Sequence, residues 1–225
     1  MSAPDYGRSF ALWRVDCADH WSAYTRHAFV EGLKDGSLPR AAFLTYLRQD
    51  YLFLIHFSRA WSLAVVKAGT LEEMQAAAAT VQNLLHGEMA LHVAICAAAG
   101  ISKADLLATE EAPENLAYTR YVLETGYSGD FLDLLAALAP CVLGYGEIGA
   151  RLMVEAGDTP YRDWIETYGG VDYQAMCHAR GTMIDKAVAD RLGPAPEKLP
   201  RWQQLSHRFA TATRLEVGFW GLGRA

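Results

Sequence analysis

Residues 40–67 read RAAFLTYLRQDYLFLIHFSRAWSLAVVK and lie between Pro39 and the Ala68-Gly69 break. Their apolar side chains recur at spacings of three and four residues, which is the period of an amphipathic helix. The predicted buried face comprises Phe43, Tyr46, Leu47, Phe53, Leu54, Phe57 and Trp61. A helix with so apolar a face indicates a protein built from packed helices.

The same helical spacing recurs in almost every other segment between glycine and proline breaks. Further breaks are predicted near residues 35–39, 99–100, 111–113, 128–129, 157–160, 169–170 and 193–200. They leave about seven or eight helices of ordinary length, and no strand pattern competes. Because no linker-like stretch interrupts the 225 residues, we expect one all-α domain, a helical bundle over residues 1–225.

Composition excludes several classes of partner. Twenty-six acidic residues against twenty basic ones give a net charge of −6, so we expect neither a nucleic acid nor an anionic membrane surface as partner. The most apolar segment, residues 134–154, contains Pro140, Gly144, Gly146 and Glu147, and is too interrupted for a membrane span. The first residues lack the pattern of a secretory signal, which predicts a cytoplasmic protein.

One cysteine is a candidate nucleophile. The four cysteines, none of them in a CxxC pair, are Cys17, Cys96, Cys141 and Cys177. Their spacing fits neither a zinc cage nor a dense disulfide framework. Cys141 faces inward on a predicted helix, one turn before Tyr145, and follows Pro140, which we expect to open the helix locally. The alternative is an inert buried thiol.

Two carboxylates fall on apolar helix faces. Asp50 lies in the middle of the face described above, where it serves either as a structural hydrogen-bonding group or as an anchor in a pocket. Glu216 lies on a stripe with Trp202, Leu205, Phe209, Ala212, Phe219 and Trp220. Burial penalises the charged form of a carboxyl group, which suits a general acid, although a buried ion pair with an arginine explains Glu216 equally well.

Glu88 and His92 are the best metal candidates, because they lie four residues apart on a further apolar stripe. A di-iron site needs partner ligands at helical spacing on another helix, and the sequence after Glu216 supplies none. We therefore expect no metal and no cofactor, and a hydrogen-bonding role for His92. Numerous tyrosines, together with Asp50, Cys141 and Glu216, would make an aromatic pocket suited to a small planar heterocycle.

Five stretches of the sequence resemble the TenA-like thiaminase II (aminopyrimidine aminohydrolase) family, in order and over about residues 13–223. They are HAFVEGLKDGSLPRAAFLTYLRQDYLFLIHF (27–57), ENLAYTRYVLETG (114–126), ALAPCVLGYGEIG (137–149), YRDWIETYGG (161–170) and LEVGFWGLG (215–223). The resemblance is to the cysteine-bearing branch. It implies a heme-oxygenase-like all-helical fold without heme, assembled as a homotetramer.

The resemblance also implies a reaction. The family converts 4-amino-5-aminomethyl-2-methylpyrimidine to 4-amino-5-hydroxymethyl-2-methylpyrimidine and ammonia, and cleaves thiamin to the same pyrimidine and the thiazole alcohol. Such a hydrolase salvages the pyrimidine for thiamin synthesis. The expected partner is therefore a small aminopyrimidine or thiamin.

Roles for individual residues follow from the same resemblance. Cys141 matches the nucleophile, Glu216 the group that acts as acid and base, and Asp50 the aspartate that binds the ring's amino group and adjacent nitrogen. Tyrosines expected to line the pocket are Tyr118, Tyr145 and Tyr168. Phe53 departs from the pattern, because many relatives carry a tyrosine there; this loses one hydrogen bond, keeps the stacking surface and bears on substrate preference.

Two alternatives belong to other classes. A non-catalytic pyrimidine or thiamin binder would keep the pocket without turnover. A metal-dependent oxidase on the same fold would use Glu88 and His92.

Overall fold

The computed structural model describes residues 4–224, with side chains for residues 4–222, and this part of the chain is helical without a β-strand. In chain order the α-helices are α1 (Arg8–Asp16), α2 (Ala18–Thr25), α3 (Ala28–Asp35), α4 (Arg40–Lys67), α5 (Leu71–Asn83), α6 (Met89–Ala98), α7 (Lys103–Leu107), α8 (Pro113–Ser128), α9 (Phe131–Glu155), α10 (Arg162–Gly169), α11 (Val171–Leu192) and α12 (Pro200–Trp220). A π-helix (Leu84–Glu88) joins α5 to α6, and 3-10 turns cover Pro196–Lys198 and Gly221–Arg224. The all-α prediction is confirmed.

The predicted breaks coincide with helix ends, but residues 4–224 contain twelve α-helices rather than about eight. The excess comes from short elements. Residues 8–35 form three helices of eight or nine residues, although no proline and only one glycine interrupts that stretch. One helix start that the sequence did not predict lies at His27, whose ring nitrogen accepts a hydrogen bond from the backbone N–H of Phe29 and so caps α3.

The chain divides into two compact units. The first unit comprises residues 4–38 and 135–220, and its core is aromatic. Trp13 stacks on Trp202 and on Phe209, each with ring centroids 5.4 Å apart, and Trp21 stacks on Phe209 at 5.5 Å. These contacts join α1 and α2 to α12, which bears the predicted apolar stripe.

The second unit comprises residues 39–134 and 221–224, and is built around α4. This helix packs against α5, α6, α7 and α8. Every apolar residue predicted on its inner face, from Phe43 to Trp61, is buried, so the helical period located the core correctly. The expectation of one domain over residues 1–225 stays a prediction, and residues 1–3 and 225 lie outside the described part.

Helix α9 is the most apolar element. It is the one helix in the described residues long and apolar enough to cross a membrane, but 89% of its most apolar window is buried within the protein. Such burial is that of a core helix. Pro140 lies inside α9, and the helix continues past it to Glu155.

The π-helix interrupts an otherwise continuous helical run from Leu71 to Ala98. Single π turns are wider than α turns and are frequent at functional sites. Only His92 and Cys96 of α6 are buried.

Candidate active site

Asp50 lies on the buried face of α4, 3% exposed, as the sequence predicted. Its Oδ2 atom accepts a hydrogen bond from the Tyr46 hydroxyl at 3.3 Å, one helical turn earlier. The same oxygen lies 2.5 Å from Nε2 of His92. No residue among the described side chains bonds to Oδ1, so this oxygen is the one left for a ligand.

His92 is 1% exposed, and protein atoms engage both of its ring nitrogens. Nδ1 lies 2.9 Å from the backbone carbonyl of Glu88, and Nε2 faces Asp50. Burial of the ring acts to lower the pKa of His92, yet the charge of Asp50 and the hydrogen bond to it raise that pKa above 6.5. With both nitrogens bonded, His92 has no lone pair directed at a metal, which disfavours the oxidase alternative. Residues 4–222 assemble no group of three side chains suited to hold an ion.

Phe53 and Tyr118 form an aromatic wall in the second unit. Their ring centroids are 4.9 Å apart, and Phe53 also stacks on Phe57 at 5.1 Å. Phe53 follows Asp50 by three residues on the same helix face. The second unit therefore contains a buried carboxylate and a stacking surface on one face of α4.

A pair of amides that the sequence did not predict positions the helix that carries Tyr118. Nδ2 of Asn115 donates hydrogen bonds to the backbone carbonyl and the side-chain oxygen of Gln49, at 2.9 and 3.0 Å. Nε2 of Gln49 in turn donates to the carbonyl of Glu110 at 2.9 Å. These bonds fix the start of α8 against α4, one turn before Tyr118.

Cys141 differs from the other three cysteines. The Cys17, Cys96 and Cys177 side chains are buried, whereas Cys141 is partly exposed on α9. Burial raises the pKa of Cys17 to about 11 and that of Cys177 to about 12, and it also raises the pKa of Cys96. Those three thiols therefore stay protonated and unreactive near neutral pH.

The backbone next to Cys141 is held by a tyrosine from α2. The Tyr24 hydroxyl donates to the carbonyl oxygen of Pro140 at 3.3 Å. The Tyr24 ring lies against Gly144, where a Cβ atom would be only 2.4 Å from its Cε1 atom. Glycine at position 144 thus lets a buried ring approach the turn that follows Cys141.

Tyr145 and Tyr168 meet in an aromatic cluster of the first unit. Their ring centroids are 4.9 Å apart, and Tyr145 also lies 5.3 Å from Trp220 and 5.9 Å from Trp164. Trp164 was not among the predicted site residues, although it lies four residues before Tyr168 on α10.

A glycine contact brings α10 onto α9. A Cβ atom on Gly149 would lie 2.4 Å from the backbone carbon of Tyr168. A Cβ on Gly169 would likewise lie 2.6 Å from the carbonyl oxygen of Gly149. Because no side chain fits there, the backbones touch directly and Tyr168 reaches Tyr145.

Glu216 is 1% exposed on α12, which confirms the predicted burial of this carboxyl group. It precedes Trp220 by one helical turn. The predicted residues divide between the units: Asp50, Phe53 and Tyr118 belong to the second. The first unit contains Cys141, Tyr145, Tyr168 and Glu216. The catalytic and binding roles stay predictions.

Comparison with known proteins identifies the family. The model of the TENA/THI-4/PQQC family matches residues 15–224, which is nearly the whole chain. The chain therefore belongs to the TENA/THI-4/PQQC family.

Relatives of similar length, and one longer protein, support that assignment. An uncharacterized protein of Haemophilus influenzae is 38% identical over 91% of this chain and 93% of its own length. A protein of Halalkalibacterium halodurans named aminopyrimidine aminohydrolase is 35% identical over 90% of this chain and 89% of its own length. A hydroxymethylpyrimidine/phosphomethylpyrimidine kinase of Saccharomyces cerevisiae is 30% identical over 89% of this chain. That protein is longer, and the match covers 36% of its length.

Solved structures support the fold. A structure described as a TenA family transcription regulator from Silicibacter sp. TM1040 superposes with a TM-score of 0.95 and 63% identity, covering 97% of both chains. A domain with a heme oxygenase-like fold from Shewanella denitrificans OS217 gives a TM-score of 0.61 at 13% identity over 95% of this chain and 90% of its own. The heme-oxygenase-like fold predicted from the sequence is confirmed.

Proposed function

We propose that this chain is an aminopyrimidine aminohydrolase. It converts 4-amino-5-aminomethyl-2-methylpyrimidine and water to 4-amino-5-hydroxymethyl-2-methylpyrimidine and ammonia, and also cleaves thiamin to that pyrimidine and the thiazole alcohol. The relative from Halalkalibacterium halodurans that bears this activity in its name supports the proposal, since the two chains match over nearly their full lengths.

The observation that carries the proposal is the exposure of Cys141. Of the four cysteines it alone is partly exposed, while burial keeps the other three in the thiol form. A nucleophile must reach its substrate, and only Cys141 has that access. Its place after Pro140 is also the place at which the sequence resembles the nucleophile of the family.

The first chemical step is addition. The Cys141 thiolate forms a carbon–sulfur bond to the pyrimidine ring, which breaks the aromatic system and places an electron pair on a ring nitrogen. Glu216 acts as the acid and gives a proton to that nitrogen. Without this proton the adduct would collapse backwards and release the thiolate.

Elimination and hydration complete the turnover. An electron pair of the dearomatised ring breaks the bond between the methylene carbon and the amino nitrogen, and the amino group, which enters as its ammonium form, leaves as ammonia. Water then adds to the exocyclic methylene carbon and gives one proton to the Glu216 carboxylate. The carbon–sulfur bond breaks, the ring nitrogen releases its proton, and the aromatic ring is restored.

The proposed binding roles fall to Asp50, Phe53 and Tyr118. Oδ1 of Asp50 accepts a hydrogen bond from the ring's amino group, and Phe53 and Tyr118 offer flat surfaces for stacking. These groups recognise a planar ring and take no part in bond breaking.

A non-catalytic binder is the second candidate, because the 63% identical structure is described as a transcription regulator. The net charge of −6 provides no basic excess for direct contact with DNA. A regulator of this kind would therefore bind a pyrimidine or thiamin and pass the signal to another protein.

The test measures ammonia and hydroxymethylpyrimidine release from aminomethylpyrimidine, beside thiamin at equal concentration. Cys141→Ser should lower kcat/KM by about 10³-fold or more, because an alcohol at this position is a far poorer nucleophile. Cys17→Ser makes the same chemical change at a buried cysteine and serves as the matched control, with activity near wild type.

Each outcome discriminates between the candidates. Loss of release in Cys141→Ser alone supports the hydrolase. Wild-type rates in Cys141→Ser would show that the nucleophile is misassigned. A folded wild-type protein that binds the pyrimidine but releases nothing would support the binder instead.

A further inference from the structure

The buried pair of His92 and Asp50 is the starting point. The two residues come from α6 and α4, are 1% and 3% exposed, and approach to 2.5 Å between Nε2 and Oδ2. The mechanism above uses Asp50 to bind the ring but gives no function to His92. A buried histidine at this distance from a ligand-binding carboxylate determines the net charge and the hydrogen-bonding atoms that the carboxylate presents to a ligand.

The number of protons on the pair follows from its partners. A backbone carbonyl can only accept, so Nδ1 of His92 carries a proton for the carbonyl of Glu88. The short contact between Nε2 and Oδ2 then holds a single proton. Wherever that proton lies, the pair as a whole is electrically neutral, and Oδ1 of Asp50 remains a hydrogen-bond acceptor.

Neighbouring groups favour the form in which the imidazole ring is charged. Helix α6 packs against α4 and against the π-helix. From α4, Asp50 and Tyr46 face His92, and from the end of the π-helix, Glu88 does. Burial opposes the charge, but Asp50 and Glu88 raise the pKa of His92. The Tyr46 hydroxyl adds a second, uncharged donor to Oδ2.

We propose that His92 is a positioning residue that cancels the charge of Asp50 and directs Oδ1 alone toward the ligand, so that the site selects the neutral form of an aminopyrimidine over its ring-protonated cation. This inference rests on the proposed function, because it assumes that Asp50 binds the ring. An isolated buried carboxylate would attract the cation strongly, whereas a neutral pair gains little from the ligand's charge. The amino group still supplies the N–H that Oδ1 accepts.

The test measures the Kd of 4-amino-2,5-dimethylpyrimidine, which has no leaving group, by calorimetry across the pH range in which its ring takes up a proton. In the wild-type protein Kd should rise about tenfold per pH unit below the titration point of the ligand, because only the neutral form binds. In His92→Gln the amide can still donate to Asp50 without a charge, and Kd should stay level or fall as the pH is lowered.

Tyr46→Phe is the matched control, since it removes an uncharged donor from the same carboxylate oxygen. It should weaken binding by about two- to tenfold without changing the pH profile. The same pH profile in His92→Gln and the wild-type protein would overturn the inference and leave the proposed function intact. A wild-type protein that neither binds the probe nor turns over aminomethylpyrimidine would overturn both.

Nitrogen-15 NMR of the histidine ring provides a second readout that does not depend on the variant's folding. Near neutral pH the wild-type His92 ring should show protons on both nitrogens. A neutral ring beside an ionised Asp50 would leave the charge uncancelled and would overturn the inference.

Discussion

Phe53 is the residue at which this chain departs from the sequence pattern that it resembles. It lies three residues after Asp50 and contacts Tyr118, while stacking of these rings on a substrate stays a prediction. The resemblance implies a tyrosine at this position in many relatives, so Phe53 is expected to lack one hydroxyl that could reach the substrate. A single hydrogen bond contributes about 0.5–1.5 kcal/mol, which is enough to alter a preference between two substrates and too little to create a reaction.

Phe53→Tyr should therefore change the ratio of kcat/KM for aminomethylpyrimidine and thiamin by about two- to tenfold, with turnover retained. Steady-state kinetics on both substrates measures this ratio. Phe57→Tyr adds the same hydroxyl one turn further along α4 and should leave the ratio unchanged. An equal shift in both variants would mean that the hydroxyl acts through packing and not through the substrate.

At the scale of single elements, the sequence predicted what helical spacing determines. The buried face of α4 and the burial of Asp50 and Glu216 follow from a period of 3.6 residues, and the structure confirms them. The short helices α1 to α3 were missed because residues 8–35 offer little glycine or proline punctuation. The π-helix at Leu84–Glu88 was missed because its wider turn leaves no mark in the apolar pattern.

Contacts between distant residues lay beyond the sequence. His92 was recognised as inward-facing, but its pairing with Asp50, 42 positions away, depends on how α6 packs on α4. The bonds from Asn115 to Gln49 join residues 66 positions apart and have no local signature. Neither pairing can be deduced from spacing along one helix.

Helix α10 offers a test of an element's placement. Gly149→Ala would put a methyl group 2.4 Å from the backbone of Tyr168, and a backbone cannot swing aside as a side chain can. We expect a loss of about 1–3 kcal/mol in the free energy of unfolding, together with reduced activity as Tyr168 moves from Tyr145. Urea denaturation measures the free energy of unfolding.

Gly157→Ala provides the comparison, because a Cβ atom there would meet nothing within 4 Å. It lies between α9 and α10 and should change stability by no more than about 0.5 kcal/mol. Equal losses in both variants would indicate that the glycine contact is not what holds α10.

For the molecule as a whole, buried thiols connect stability to pH. The pKa of Cys177 is about 12 in the folded chain, chiefly because of burial, against 9.0 for an ordinary thiol. The folded state thus retains this proton after the unfolded state has lost it. The contribution of Cys177 to the free energy of unfolding is complete below pH 9 and is lost as the pH rises toward about 12.

The free energy of unfolding should accordingly fall above pH 9, with Cys177 contributing up to about 1.4 kcal/mol per pH unit. Cys177→Ala should make the decline shallower, whatever it does to stability at neutral pH. Denaturation between pH 8 and about 10.5 measures the slope. Thr182→Ala, on the same helix, should keep the wild-type slope; a Cys177→Ala slope as steep as wild type would contradict the assignment.

Two expectations at this scale stay predictions: the homotetramer that the resemblance implies and the cytoplasmic location. Neither follows from the contacts within one chain.

The aromatic core of the first unit has a consequence for how unfolding is observed. Five of the six tryptophans lie in that unit, and only Trp61 lies in the second. Intrinsic fluorescence therefore reports almost entirely on one unit, while circular dichroism reports on the helices of both. Superimposable melting curves from the two signals would mark a single cooperative transition, and separate curves would mark two bodies that lose their structure independently.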